Sequence, residues 1–154
     1  MCCKKVLLVL MCSLASSVWA ADSCTIDIKG TDLITFTDMA GKPLRRITVP
    51  AKCNQFTINM FHVGKMPKTA MGHNVVITKT ADISGVIKDG MRYGISKDYL
   101  PPKDPRIVAA STMIGGGAKT SVQFPVAKIK NGDYSFFCSF IGHDRKMRGK
   151  FEIQ

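Results

Sequence analysis

Turn residues cut this chain into short pieces, and that punctuation limits its fold more than any other feature. Residues 25–28 (Thr-Ile-Asp-Ile) alternate polar and apolar side chains, as a half-buried strand does, and Gly30, Thr31 and Asp32 end the run. Residues 33–37, 46–49 and 55–61 are further strand candidates, the last with Phe56, Ile58 and Met60 on one side. Residues 74–78 contain Val75, Val76 and Ile77, a continuous apolar run of the kind that fills a sandwich core. Residues 106–110, 121–125, 133–138 and 149–153 complete the set. Many short strands with frequent turn signals predict an all-β sandwich or barrel. One segment breaks the rhythm. Within residues 81–93, Ile83, Val86, Ile87 and Met91 have helical spacing, which predicts one short helical flap packed on the sandwich. Residues 99–105, with three prolines, form a loop, and residues 114–118 form a turn before a strand.

A length of 154 residues suits one domain. Residues 1–20 read as a secretory signal: Lys4 and Lys5 give a positive start, residues 6–14 are apolar, and Val18, Trp19 and Ala20 precede the cleavage point. The apolar run is too short for a membrane span. Cys24 does not follow the short apolar motif of an acylated lipoprotein, so the expected product is a soluble domain over residues 21–154. Removing Lys4 and Lys5 from 22 basic residues leaves 20 against 11 acids, a mature charge of +9. For an exported protein this favours acidic partners or an anionic membrane surface over nucleic acid. Cys2, Cys3 and Cys12 leave with the signal, and Cys24, Cys53 and Cys138 remain. In an oxidising compartment two cysteines pair and the third asks for another explanation.

The chemistry concentrates in residues 138–147, a loop between two predicted strands. It presents the thiolate of Cys138, the imidazole of His143 and the thioether of Met147 within ten residues. Soft sulfur ligands favour Cu(I), and imidazole suits both copper oxidation states. A Cys-His-His set with a weak axial Met is the donor pattern of blue-copper electron transfer. Met71-Gly72-His73-Asn74 supplies the second histidine at the entry of a core strand. Zinc accepts the same Cys and His ligands, so the residues alone do not fix the metal.

At these residues the chain resembles the azurins, blue-copper proteins of the cupredoxin family. The resemblance covers Cys24 to Gln154 and rests on Cys-x4-His-x3-Met, on Met-Gly-His-Asn, and on several shorter motifs. These are Cys53-x-Gln55-Phe56-Thr57, Pro67-Lys68, Asp89-Gly90-Met91, Lys97-Asp98-Tyr99-Leu100 and Phe136-Phe137-Cys138. It implies a Greek-key β-sandwich of about eight strands. It implies one type 1 copper with His73, Cys138 and His143 as equatorial ligands and Met147 as an axial ligand. Gly72 would offer a weak backbone carbonyl from the opposite side, where a side chain would crowd the metal. Asn74 would tie the two ligand loops together by hydrogen bonds. Cys24 and Cys53 would form the family disulfide, stabilising the fold by roughly 3–4 kcal/mol on the loop-entropy model. His62 resembles a buried family histidine that binds no metal, and a satisfied core histidine is the preferred reading. The interval between Cys24 and Cys53 is longer than in typical azurins, with residues 40–45 as a hairpin extension. Ile141 stands where proline is usual, Lys146 where an apolar residue is usual, and the core tryptophan of some azurins is absent.

The implied function is a soluble periplasmic carrier of single electrons. His143 is the expected exit, within an apolar patch of Phe140, Ile141, Met66 and Met71, joined by Pro67 and Ala70. Arg145, Lys146 and Arg148 would give that patch a basic rim for an acidic redox partner, such as a c-type cytochrome or a copper or haem reductase. A periplasmic copper chaperone or store is the alternative, but such a protein needs exposed, exchangeable ligands. A copper enzyme would need a second metal or substrate site, and no histidine is left to build one.

Overall fold

The structure is a computed structural model describing residues 23–154; the expected signal segment, residues 1–20, lies outside the described residues. The strands are β1 (Thr25–Thr31), β2 (Thr35–Thr37), β3 (Arg46–Val49), β4 (Gln55–His62), β5 (Val76–Lys79), β6 (Ile107–Ala110), β7 (Lys119–Pro125), β8 (Tyr134–Phe137) and β9 (Arg148–Ile153). Helix α1 (Lys68–Met71) is a single turn before β5, and α2 (Ile83–Gly90) follows it. Four strands form one sheet in the order β2-β1-β4-β7, and five form the other in the order β3-β9-β8-β5-β6. The chain passes from one sheet to the other after β2, β3, β4, β6 and β7, so the two sheets enclose one core as the expected β-sandwich. Pairing is antiparallel except for β1 with β4 and β3 with β9.

Period-two alternation explains the packing. In β4, Phe56, Ile58, Met60 and His62 are buried while the residues between them face outward. Phe36, Phe56, Phe124 and Phe136 are buried in the centre, with Phe151 edge-on to both Phe124 and Phe136 at 5.5 Å. The Cys24–Cys53 disulfide closes one margin, joining the start of β1 to the segment before β4. Helix α2 is the expected flap: Ile83 and Val86 pack on Val76 and Phe137 of the five-stranded sheet. Met91 departs from that face and is 49% exposed. The chain tightens into a 3₁₀ turn at residues 91–93, and the change from 3.6 to 3.0 residues per turn swings it outward.

Two departures from the sequence reading concern the metal end. Gly30 does not end β1 but pairs with His62 inside the sheet. A Cβ at Gly30 would lie 2.9 Å from the His73 ring, so glycine is there for close approach rather than for a turn. Residues 74 and 75 lie outside β5. Val75 instead bonds through its N–H to the Ser111 hydroxyl and through its C=O to the Ser111 N–H.

The extension at residues 40–45 is a compact reversal. Asp38 Oδ1 accepts from the amides of Ala40 and Lys42, and Gly41 takes φ +90°. The Asp38 N–H bonds the Lys42 carbonyl, and Thr37 bridges Pro43. The chain then enters β3 of the opposite sheet. Among the described residues no helix is long and apolar enough to cross a membrane.

Candidate metal centre

Three loops meet at one end of the sandwich. The first follows α1 and carries Gly72, His73 and Asn74. His73 exchanges both backbone bonds with Ile114 of the second loop, at 3.0 and 2.8 Å. The third joins β8 to β9 and is closed on itself. The Cys138 amide donates to the Met147 carbonyl, the Met147 amide to the His143 carbonyl, and the His143 amide to the Phe140 carbonyl. Gly142, at φ +79°, supplies the left-handed residue that turns the chain into His143. Ten residues thereby bring Cys138, His143 and Met147 into one small volume.

The side chains of His73, Cys138 and His143 form a buried cluster with all donor atoms within 4.8 Å of one another. Cys138 Sγ lies 4.0 Å from His73 Nδ1, 3.7 Å from His143 Nδ1 and 3.7 Å from the Gly72 carbonyl oxygen. Donors bonded at about 2.0–2.3 Å to one ion in a trigonal plane stand about 3.7 Å apart, so the spacing fits a shared metal. Met147 is fully buried in the core beside this cluster. A Cβ at Gly72 would strike the Lys68 carbonyl at 2.6 Å and Met113 Sδ at 2.8 Å. The close packing of α1 and Met113 thus demands glycine here on its own account.

A hydrogen bond fixes which nitrogen the His73 ring presents. His73 Nε2 donates to the Thr31 carbonyl at 3.0 Å, which leaves the Nδ1 lone pair facing Cys138. His62 stacks on His73 with centroids 4.2 Å apart, yet both its nitrogens are engaged. Nδ1 accepts from the Gly64 amide, and Nε2 donates to the Met71 carbonyl at 2.8 Å. It serves as a satisfied buttress for the His73 ring. The His143 ring lies against Phe140 at 4.6 Å, and Tyr99 meets Phe140 edge-on.

Burial sets the protonation of the metal-free cluster. Desolvation, reinforced by the charges that His62 and His143 would carry, lowers the His73 pKa to about 4 against the opposing pull of the Thr31 carbonyl. Desolvation likewise lowers His143 to about 4, opposed by Asp144. Burial pushes the Cys138 thiol up to about 12, although the amides of Asn74 and Phe140 favour the thiolate. At neutral pH both imidazoles are neutral and ready to donate to a metal, and only the thiol must lose a proton to do so.

Asn74 is fully buried and bridges two loops: its Oδ1 accepts the Ser139 amide at 2.9 Å and its Nδ2 donates to the Ser139 hydroxyl. Ser139 Oγ in turn reaches the Asp98 carbonyl at 2.6 Å. The Asp98 carboxylate binds Lys68 Nζ at 2.8 Å and the Met113 amide at 3.1 Å. Asp98 therefore ties the second and third loops to α1, the helix that leads into the first. Residues 97–100 form a recognisable motif in the sequence, but nothing in it announces the role of Asp98. The left-handed backbone of Asp98 and Tyr99 (φ +53° and +52°) has no side-chain signature of the kind that glycine provides.

On the surface, Ile141 is 52% and Met66 43% exposed, Phe140 and Met71 are half-buried, and His143 is only 3% exposed. Arg145, Lys146 and Arg148 are exposed.

Residues 23–154 match the family described as copper binding proteins, plastocyanin/azurin family. The chain is 43% identical over 152 residues to an azurin from Pseudomonas aeruginosa, covering 98% of this chain and 99% of that one. It is 45% identical over 145 residues to an azurin from Bordetella pertussis, covering 94% and 92%. It is 46% identical over 132 residues to an azurin from Alcaligenes faecalis, covering 85% and 98%. The buried donor set and these relatives together give one type 1 copper per chain and single-electron carriage as its use. The chain belongs to the plastocyanin/azurin family of copper-binding proteins.

Proposed function

We propose that the chain works as a soluble periplasmic electron carrier, with His73, Cys138 and His143 as equatorial copper ligands. In this reading Met147 is axial and the Gly72 carbonyl stands opposite it. The observation that carries the proposal is the buried cluster itself. Two neutral imidazoles and a thiol already stand side by side, on loops locked by Asn74 and by the backbone bonds at both ends of residues 138–147. Bound copper supplies the one-electron change between Cu(II) and Cu(I). The bonds of Asn74 and of the ligand-loop backbone would hold the donors in place through that change and keep reorganisation small. Ligands that are 0–3% exposed favour retention of the metal over delivery of it.

His143 is the exit for the electron, because its ring abuts Phe140 next to the exposed Ile141. A small apolar patch including Met66 and Met71 suits brief docking. The basic residues Arg145, Lys146 and Arg148 favour acidic redox proteins, such as c-type cytochromes or a copper or haem reductase. The signal-like residues 1–20 and the Cys24–Cys53 disulfide support an exported, oxidising location. Carriage without substrate turnover is supported by His62, whose ring nitrogens are both committed inside the fold.

The test is a visible spectrum of the mature protein with one equivalent of Cu(II). An intense blue thiolate-to-copper band, bleached reversibly by a reductant, is the expected result. Weak copper bands alone would show that the thiolate is not a ligand and would return the chain to a metal-handling role.

A further inference from the structure

The extension between β2 and β3 ends beside the ligand loop. Its last residue, Arg45, is solvent-exposed, and its backbone prolongs the β3–β9 pairing by one bond, the Arg45 carbonyl accepting the Lys150 amide at 2.9 Å. The approach is close: a Cβ on Gly149 would lie 2.6 Å from the Arg45 carbonyl oxygen. From there the side chain runs along β9 to the point where the strand has become the ligand loop. Arg45 Nη1 donates to the Lys146 carbonyl, and the Arg148 carbonyl lies 3.5 Å away.

The Lys146 carbonyl belongs to the peptide that leads into Met147. The N–H of the same peptide donates to the His143 carbonyl at 2.7 Å, and the Met147 carbonyl accepts the Cys138 amide at 3.0 Å. Arg45 thus grips one edge of a peptide plane whose other edge is tied to His143. If that plane tilts, Met147 moves relative to both Cys138 and His143. A charged donor on a carbonyl makes a stronger bond than a neutral one, so a single arginine suffices to bias the plane. From these contacts we propose that Arg45 is a positioning residue for the metal centre: the extension exists to fix the Lys146–Met147 peptide from outside the loop, and through it the set of the axial donor.

The proposal rests on the ligand assignment above for its spectroscopic arm only. The experiment combines two measurements on Arg45→Leu, Arg45→Gln and Arg45→Lys. The first is amide hydrogen exchange by NMR on the reduced, copper-loaded protein, which is diamagnetic, repeated without metal. The second is the reduction potential together with the visible spectrum. In Arg45→Leu the Met147 and Cys138 amides are expected to exchange about tenfold faster while amides of β1 and β4 keep their rates, as loss of one charge-assisted bond implies. The potential and the thiolate-to-copper band should shift in the same variant. Arg45→Lys, which keeps donor and charge, should restore both readouts, and Arg45→Gln, which keeps a neutral donor, should restore part of the protection. Three results would overturn the proposal. The first is unchanged exchange at Met147 and Cys138. The second is a uniform rise across both sheets, which would mean general destabilisation. The third is an equal potential shift in Arg45→Leu and Arg45→Gln without local exchange changes, which would reduce Arg45 to a bystander charge. A protein that never turns blue yet shows the local exchange effect would separate failure of the copper reading from failure of this one.

Discussion

The middle of the sandwich and its metal end are both fully buried, yet they are built on opposite principles. The middle is apolar: Phe36, Phe56, Phe124, Phe136 and their aliphatic neighbours have no polar group to satisfy. Their stabilisation scales with area removed from water and tolerates small shifts of any one side chain. The metal end buries His62, His73, Asn74, Ser139, Cys138 and His143, whose polar atoms need partners in defined directions. His73 has the Thr31 carbonyl, His62 has Met71 and Gly64, and Asn74 has Ser139. The comparison teaches a division of labour. The apolar half makes the fold stable, while the polar half adds little net stability but leaves the donor atoms only one arrangement. Substitutions in one half should then change quantities that substitutions in the other leave alone.

The strongest test of that division is Cys138→Ser. The blue band should vanish completely, since no other thiol lies in the cluster, while the sandwich persists with a loss of about 1–3 kcal/mol for burying a hydroxyl. Unfolding on this single change would break the comparison, because it would make the metal end the source of stability. Acid titration of the metal-free protein comes next. His73 and His143 have folded pKa values of about 4, below the ordinary 6.5 that they regain on unfolding. The unfolded chain therefore binds more protons between those values. Stability from these residues is complete above about pH 6.5 and is lost as pH falls toward 4, after which they contribute no further slope. Denaturant melts across this window check the sign. Replacing both histidines by glutamine should flatten the curve.

The apolar half makes the complementary prediction. Phe136→Ala removes a ring packed against Phe36 and Phe151 and should cost about 3–5 kcal/mol by chemical denaturation. The folded fraction should keep an unshifted blue band. Replacing Cys24 and Cys53 by serine should cost about 3–4 kcal/mol by the loop-entropy argument, again without spectral change. A shifted band in either variant would show that core packing sets the donor geometry and would blur the division.

The two halves were also unequally legible in the sequence. Alternation along 55–61 and the apolar run at 75–77 announced the core, because period-two burial is written in side chains. The donors were legible because thiol, imidazole and thioether at that spacing have few other uses. The shell around them was not. The partners of His73 and His62 are the carbonyls of Thr31 and Met71, and a carbonyl has no letter in a sequence. Gly30 and Gly72 read as a turn and as room for metal. Their neighbours, the His73 ring in one case and Lys68 with Met113 in the other, become evident only after the loops are packed. Arg45 and Asp98 lie far along the chain from the groups they hold, so no local pattern reports them.

The smallest expected effect lies on the boundary between the halves, at Asn74. Replacing it by alanine removes the acceptor of the Ser139 amide and the donor to its hydroxyl, both in a fully buried position. An orphaned buried amide costs about 1–3 kcal/mol, so the stability loss should fall below that of Phe136→Ala. The geometric consequence should be out of proportion to that cost. Without the bridge, the loop bearing His73 and the loop bearing Cys138 keep their own backbone bonds but lose the side-chain link between them, leaving the donors freer to separate. Copper dissociation measured with an excess of chelator should be faster in Asn74→Ala than in Phe136→Ala, although Phe136→Ala is the less stable protein. The reverse order would mean that metal retention follows global stability, and that the polar network holds nothing the apolar core does not already hold.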